Sequence, residues 1–194
     1  IAVIDQVLIP AVTLVLSHRE QNEISDDDTE FVLAVVAETL DQLPSTANAM
    51  TPRANIIGLT TRQQADDLVL EMLRTAYGRD RVTLMSHELT AEEAVRAAIR
   101  QAPAMICIAA AASTRGSEIR SYCRRIRSES PETRIVVMRP QLPEEEAPRA
   151  VDRFREAGAD SLVVDAEEAV NAIDRLLLAV AEPASKPRQL PAHA

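Results

Sequence analysis

The sequence has few aromatic residues and less basic than acidic charge. Of its 194 residues, 2% are aromatic and none is Trp, and the formal net charge is -9. Proteins that bind nucleic acid need Lys and Arg for the phosphates and aromatic side chains for stacked bases. This composition therefore argues against nucleic acid as a partner. The hydrophobic share of 46% is ample for a core built from Ala, Val, Ile and Leu.

Glycine is scarce as well. The four glycines are Gly58, Gly78, Gly116 and Gly158. Phosphate-binding loops of the dinucleotide and P-loop types need glycine where the backbone approaches phosphate. The turn Thr60–Ala65, which follows the first predicted strand, contains none and argues against both types. Thr60 and Thr61 could donate hydroxyls to a ligand, although threonine before a helix is more often a cap.

Histidine is limited to three scattered residues, His18, His87 and His193. No Cys or His pair has metal-ligand spacing, so the sequence predicts no metal site. The acidic runs Asp26–Asp28 and Glu144–Glu146 suit helix starts, where carboxylates favour the helix dipole. His87 follows the second predicted strand, between Ser86 and Glu88, but adjacency in sequence does not supply the geometry of a catalytic triad. We therefore expect no enzyme.

The two cysteines and the lack of long apolar runs bear on location. Cys107 falls in a predicted strand and Cys123 on the apolar face of a predicted helix, where free thiols pack as small hydrophobic groups. Such thiols suit a reducing cytoplasm. No apolar run approaches the roughly 20 residues that span a bilayer. The chain starts at Ile1 inside a helix-like pattern, so we expect it to be part of a longer protein.

Two helices are predicted at the start of the chain. The first covers Val3–His18, and Pro10 is expected to bend or restart it. The second begins at Ser25, with Asp28 as the partner of a capping box. Its expected buried stripe comprises Phe31, Val32, Val35, Val36, Thr39 and Leu40. We predict an N-terminal helical segment at 1–43, followed by a linker at 44–53 that is rich in proline and small polar residues.

The remainder alternates between apolar strands and helices. Strands are predicted at Asn55–Leu59, Arg81–Met85, Ala104–Ala109, Arg134–Met138 and Ser161–Val164. Helices are predicted near Ala65–Tyr77, Ala91–Gln101, Ser117–Glu129, Pro148–Ala157 and Ala166–Ala181. Nearly all-apolar strands that alternate with helices indicate a parallel sheet covered on both faces. We predict an α/β fold over 54–180, a five-stranded doubly wound parallel sheet of the flavodoxin-like or Rossmann-like kind behind a small helical unit, and a disordered tail at 181–194.

One predicted helix carries a row of arginines, Arg120, Arg124 and Arg127. This row could meet an acidic partner or lipid head groups. Because charged outward faces are common and Glu118, Glu129 and Glu132 lie near in sequence, a solvated and balanced face is the preferred interpretation.

Two segments resemble cobalamin-binding domains. The stretch "EAGADSLVVDAEEAVNAIDRLL" (Glu156–Leu177) is similar to their last strand and helix, and Pro103–Val137 to their third strand, helix and fourth strand. The family carries D-x-H-x-x-G after its first strand, where the histidine is the lower cobalt ligand. The matching residues here are Thr60–Ala65, with Arg62 in the histidine's place. Arginine has no lone pair for a metal, so the shell resembles the family and the cobalamin site does not.

A closer resemblance is to the soluble C-terminal extension of autoinducer exporter-like (PerM-like) family permeases. "VIDQVLIPAVTL" (Val3–Leu14), "ISDDDTEFVL" (Ile24–Leu33) and "RSYCRRIR" (Arg120–Arg127) look like successive pieces of that extension, and the resemblance covers about Val3 to Leu178. It implies a degenerate cobalamin-binding-like domain held at the inner membrane, on its cytoplasmic side, by a permease part of the same polypeptide.

We therefore expect a non-catalytic cytoplasmic regulatory or ligand-sensing domain with no metal or cofactor. A second copy of the chain, in a homo-oligomer, is among the partners considered. A ligand should lie over the strand ends, and Arg62 and Arg139 would suit an anionic small molecule. The expected ligand-binding residues are Thr60, Thr61, Arg62, His87, Ala110, Ser113, Arg139 and Asp165. The alternative is a corrinoid (cobalamin)-binding protein that lacks the lower-ligand histidine.

Overall fold

The computed structural model describes residues 1–45, 54–59, 63–85, 89–111, 116–140, 142–143 and 145–181. Five strands run through it: β1 Ile56–Leu59, β2 Val82–Leu84, β3 Met105–Ala109, β4 Arg134–Met138 and β5 Ser161–Val163. The helices are α1 Ile9–Glu20, α2 Asp26–Gln42, α3 Gln64–Tyr77, α4 Ala91–Arg100, α5 Gly116–Glu129, α6 Ala147–Glu156 and α7 Ala166–Ala181. These bounds agree closely with the ranges predicted from sequence. Most of the predicted linker and all but the first residue of the predicted tail lie outside the described residues.

The sheet is entirely parallel, in the order β2-β1-β3-β4-β5. Ile56 and Ile57 of β1 are both buried, and alternate residues of β3 face opposite sides. α3 and α7 cover one face, and α4, α5 and α6 cover the other. This is the flavodoxin-like arrangement, and it confirms the predicted doubly wound sheet behind a helical unit.

The two N-terminal helices form a third layer over α3 and α7. Buried residues of this unit, such as Ile4, Val12 and Leu33, belong to the same apolar cluster as Leu73 and Ile173. A π-helical turn, Ile4–Leu8, precedes α1, so the helix restarts just before Pro10, whose missing N–H is tolerated there. We call α1 and α2 the helical hairpin.

The start of α2 forms as predicted. The Ser25 hydroxyl accepts a hydrogen bond from the Asp28 N–H at 3.1 Å, and the Asp28 carboxylate accepts from the Ser25 N–H at 3.3 Å. The Ser25 hydroxyl also donates to the Asp28 carboxylate at 2.6 Å, and this bond, together with the one from the Ser25 N–H, holds the pKa of Asp28 below its usual value. The predicted buried stripe is wrong in part, because Phe31 and Val35 point to solvent while Leu33 is buried instead.

Both cysteines are free and buried, as expected for thiols that pack as hydrophobic groups. Burial raises the pKa of Cys107 and of Cys123 to about 12. Since the thiolate is the reactive form, neither thiol is poised for chemistry in the folded chain.

We expect both thiols to resist a disulfide exchange reagent such as Ellman's reagent at pH 8 in the native chain and to react completely in concentrated urea. The measurement is the absorbance of released thionitrobenzoate with and without urea. Rapid native labelling of either thiol would contradict the burial that the fold gives them.

Candidate functional site

The expected site residues belong to the edge where the five strands end, here called the carboxyl edge. Of the eight, the structure describes Ala110, Arg139 and Asp165; Thr60, Thr61, Arg62, His87 and Ser113 lie outside the described residues. The three described residues follow β3, β4 and β5. Their roles as ligand-binding residues stay a prediction, but their surroundings show which of them faces open space.

Ala110 and Asp165 are engaged by the fold. The Ala110 side chain is buried among the helices of the α5 face, and its N–H donates to the Met138 carbonyl at 2.9 Å. The Asp165 carboxylate accepts from the Glu168 N–H at 2.7 Å and so caps α7. Of the three, Arg139 is the residue whose side chain lines a cavity.

The chain reversal in the strand order lies between β1 and β3, where flavodoxin-like folds usually place their ligand. Here a carboxylate joins the two sides. The Asp66 side chain is 1% exposed, and its Oδ1 accepts the Ala111 N–H at 2.7 Å. This charge-assisted bond ties the start of α3 to the end of β3. The crevice is therefore bridged by the protein's own groups at this point.

A cavity lies farther along the carboxyl edge, between α5 and α6. We call it the arginine cavity: about 250 Å³, lined by Arg120, Arg139, Glu146, Arg149, Ala150 and Arg153. Arg139 directly follows β4, and its N–H donates to the Val163 carbonyl at 2.8 Å. Arg139 from the strand end, Arg120 from the first part of α5 and two arginines of α6 thus line one cavity.

Phe154 underlies two of these arginines. Its buried ring has the Arg120 Cζ at 5.6 Å and the Arg139 Cζ at 5.9 Å from its centroid, within the range of cation–π attraction. Arg139 is 8% exposed. Burial lowers the pKa of Arg139, Arg120 lowers it further, and Glu146 opposes the change. The fold thus holds like charges together at a cost in solvation.

The sequence analysis placed Arg139 at the ligand edge but did not single out Arg149, Arg153 or Glu146 as candidate site residues. Glu146 had been interpreted as part of a solvated helix start. In the sequence, an i, i+4 arginine pair comes soon after a strand that is followed directly by Arg139, but this spacing does not by itself predict a shared cavity. The predicted row on α5 does not form one surface. Arg120 lines the cavity, whereas Arg127 pairs with Asp160 at 2.6 Å and bonds the Gly158 carbonyl.

Asp160 and Asp5 act as structural acceptors at opposite edges of the sheet. Asp160, in the segment that resembles a cobalamin domain, accepts from the Ile135 N–H at 2.8 Å and pairs with Arg134. Asp5 accepts from the Ala166 N–H at 2.7 Å and so joins the first helix to the start of α7. Burial raises the pKa of Asp5, while this hydrogen bond lowers it and nearby Asp165 raises it.

The described residues do not fit the cobalt of a corrinoid. Among them, His18 is the one histidine, and its Nδ1 lies 2.8 Å from the Glu23 carboxylate; His87 and His193 fall outside the described ranges. The same described ranges contain no group of three His, Cys, Asp or Glu residues able to hold a metal ion. They also include no helix that is both long and apolar enough to cross a membrane.

No protein-family profile matches the sequence. No curated protein matches it either. Among solved structures, the chain is similar to NtrX from Brucella abortus in complex with ADP (15% identity, TM-score 0.48), covering 66% of this chain and 27% of NtrX. It is similar to a response regulator from Thermotoga maritima (16%, TM-score 0.48), covering 66% and 99%. A cobalamin-binding protein from Desulfitobacterium hafniense DCB-2 is 13% identical (TM-score 0.44), covering 85% and 77%. At these identities and TM-scores the similarity carries no argument about function. The resemblance to permease extensions therefore stays a prediction.

The hydrogen bond from the Ala111 N–H to Asp66 should contribute measurably to the free energy of unfolding. We expect Asp66→Ala to lower the free energy of unfolding by about 1 to 3 kcal/mol, because the buried Ala111 N–H loses its acceptor. Urea unfolding followed by circular dichroism provides the value. Asp41→Ala, at an exposed position near the end of α2, is the matched control and should change it little. Equal unfolding midpoints for the two variants would contradict the structural role of Asp66.

Proposed function

We propose that this chain is a non-catalytic cytoplasmic regulatory or ligand-sensing domain, and that its helical hairpin docks on the membrane-embedded permease part of the same polypeptide. The observation that carries the proposal is the apolar outer face of the hairpin. The ligand that we propose for it is an anionic small molecule, bound at the carboxyl edge.

The first two turns of α1, Ile9–Leu16, are apolar apart from Thr13. Their inner face buries Val12 and Leu16, while Leu14 on the outer face is 60% exposed. A helical stretch that is apolar on all sides is normally buried on both faces. In α2, Phe31 is 70% exposed although Leu33 is buried.

The exposed apolar groups are concentrated on this unit. In the described part of the chain, Leu178 on α7 is the one large apolar residue outside the N-terminal helical unit that is exposed. Those on the unit are Ile1, Val3, Val7, Leu14, Phe31 and Val35. Between the two helices runs a shallow apolar groove of about 320 Å³, lined in part by Ala11, Leu14 and Val32. Contiguous apolar surface of this kind marks interaction sites.

The proposed occupant is an apolar helical surface of the permease part. The groove is apolar apart from His18 and Asp28 in its lining, and it suits the apolar face of another helix, since burying a further charge there would cost solvation. The resemblance of Val3–Leu14 and Ile24–Leu33 to permease extensions motivates this choice. A second copy of the chain is the competing occupant, and the experiment below separates the two.

A path from the ligand edge to the hairpin supports a regulatory role. Asp5, just before α1, accepts hydrogen bonds from the Ala166 and Glu167 N–H groups at 2.7 and 3.1 Å. The start of α7 lies at the carboxyl edge next to Asp165. A ligand that shifts this edge therefore acts on groups bonded to the hairpin.

The acidic groups at this edge favour a non-catalytic role. Asp66 holds the Ala111 N–H and Asp165 caps α7, so each carboxylate has a structural task. General acid–base chemistry instead needs a group poised toward substrate.

Photo-crosslinking tests the docking proposal. With p-benzoylphenylalanine in place of Leu14 in the full-length polypeptide in native membranes, we expect crosslinks to its membrane-embedded segments. Leu178, 53% exposed on α7, is the matched control position and should give few. Crosslinks between two hairpins at position 14 would replace the permease by a second copy. Absence of any crosslink above the Leu178 control would overturn docking at this face.

Corrinoid binding stays the alternative prediction. The preferred function predicts that the protein is colourless after it is mixed with hydroxocobalamin and the free ligand is removed. Retained red absorbance would favour the corrinoid function. A coding sequence upstream of Ile1 with several apolar segments of roughly 20 residues would support the permease link, and a methyltransferase or mutase there would support the alternative.

A further inference from the structure

We infer that the arginine cavity binds a small, multiply charged phosphate compound, such as an ion or metabolite that carries two phosphate groups. The inference deepens the proposed ligand-sensing function, on which it rests, by placing its ligand beside β4 rather than in the crevice between β1 and β3. It does not depend on what the hairpin contacts.

Charge is the first argument. Four arginines and one glutamate line the cavity, a local surplus of three positive charges on a chain whose net charge is -9. Within the described part of the chain, Arg149 and Arg153 form no ion pair, whereas Arg155 on the same helix pairs with Asp152 at 3.5 Å. Clustered guanidinium groups repel one another, and an anion between them offsets that repulsion.

Pre-organisation is the second argument. Phe154 supports Arg120 and Arg139 from below, and Arg139 is almost fully buried. The start of α5 adjoins them, because a methyl group at Gly116 would lie 3.3 Å from the Arg120 Nη1 and 3.5 Å from the Arg139 Nη1. Gly116, the first residue of α5, therefore packs closely against both guanidinium groups and helps to hold them in place. Fixed planar guanidinium groups match phosphate oxygens in pairs.

Size and lining select the ligand class. A volume of about 250 Å³ corresponds to roughly eight water molecules at their liquid volume, which suits a diphosphate-sized anion. The aromatic ring at the cavity is covered by the two arginines, so a nucleobase finds no stacking surface among the described lining residues. The ligand is therefore recognised by its phosphates rather than by an aromatic group.

Calorimetric titration of the full chain with inorganic pyrophosphate at low salt tests the inference. We expect saturable one-to-one binding that Arg149→Gln and Arg153→Gln each weaken by roughly ten-fold or more, since each removes charge-assisted hydrogen bonds. Both residues are exposed, so these variants should fold. Arg155→Gln, on the same helix outside the cavity, is the matched control and should bind like the parent chain.

Glu146→Gln gives a result that misfolding cannot imitate. This carboxylate opposes an anion in the cavity, so its neutralisation should tighten pyrophosphate binding several-fold. Unchanged or weaker binding in Glu146→Gln, or equal losses in Arg155→Gln and Arg149→Gln, would overturn the site.

Vesicles distinguish a free phosphate compound from a lipid head group. We expect no co-sedimentation with vesicles that contain phosphatidic acid, because the acidic chain is repelled and Arg139 is recessed. Co-sedimentation without pyrophosphate binding would overturn the small-molecule assignment. If pyrophosphate does not bind but the Leu14 crosslinks form, this inference is rejected and the docking proposal stands. If pyrophosphate binds but no Leu14 crosslinks form, the docking proposal is rejected and this inference stands.

Discussion

Burial of both faces of an all-parallel sheet is the constraint on which the rest of the structure depends. The inner strands β1, β3 and β4 send alternate residues into two apolar clusters, so helices must cover both sides. Because the strands are parallel, they all end at the same edge. That common edge brings Ala111, Arg139 and Asp165 into one region from distant parts of the sequence. It also makes the starts of α3, α5, α6 and α7 available to whatever the edge holds.

At one place on the carboxyl edge a hydrogen bond of the fold joins two elements, and at another place a cavity lies between helices. Between β1 and β3 the Asp66 carboxylate takes the Ala111 N–H, which stabilises the connection at the position where this fold usually admits a ligand. Beside β4 the chain instead concentrates positive charge over Phe154. Next to β5, the start of α7 is hydrogen-bonded to Asp5, which lies just before the helical hairpin.

Strands and helices were predictable because a doubly covered strand is an almost uninterrupted apolar run and the helices have a regular period. Periodicity could not tell the inner from the outer face of α2, since Phe31, Val32, Val35 and Val36 are apolar on both sides, and burial of Phe31 was wrongly expected. The arginine cavity was harder to foresee. Arg139 could be placed at the edge from its position after a strand, but Arg149 and Arg153 join it only through the packing of α6 against β5 and α5, a tertiary contact that the arginine spacing alone does not reveal.

The most direct test of this account is a map of backbone amide chemical shifts in the full chain, recorded by nuclear magnetic resonance during a pyrophosphate titration. The account predicts that the largest shifts occur at the start of α5, at Arg139 and in the first turns of α6, with small changes at Asp66 and Ala111. Largest shifts at Gln64–Asp66 and Ala111 would place the ligand in the crevice between β1 and β3. That result would contradict the claim that the arginine cavity is the ligand site.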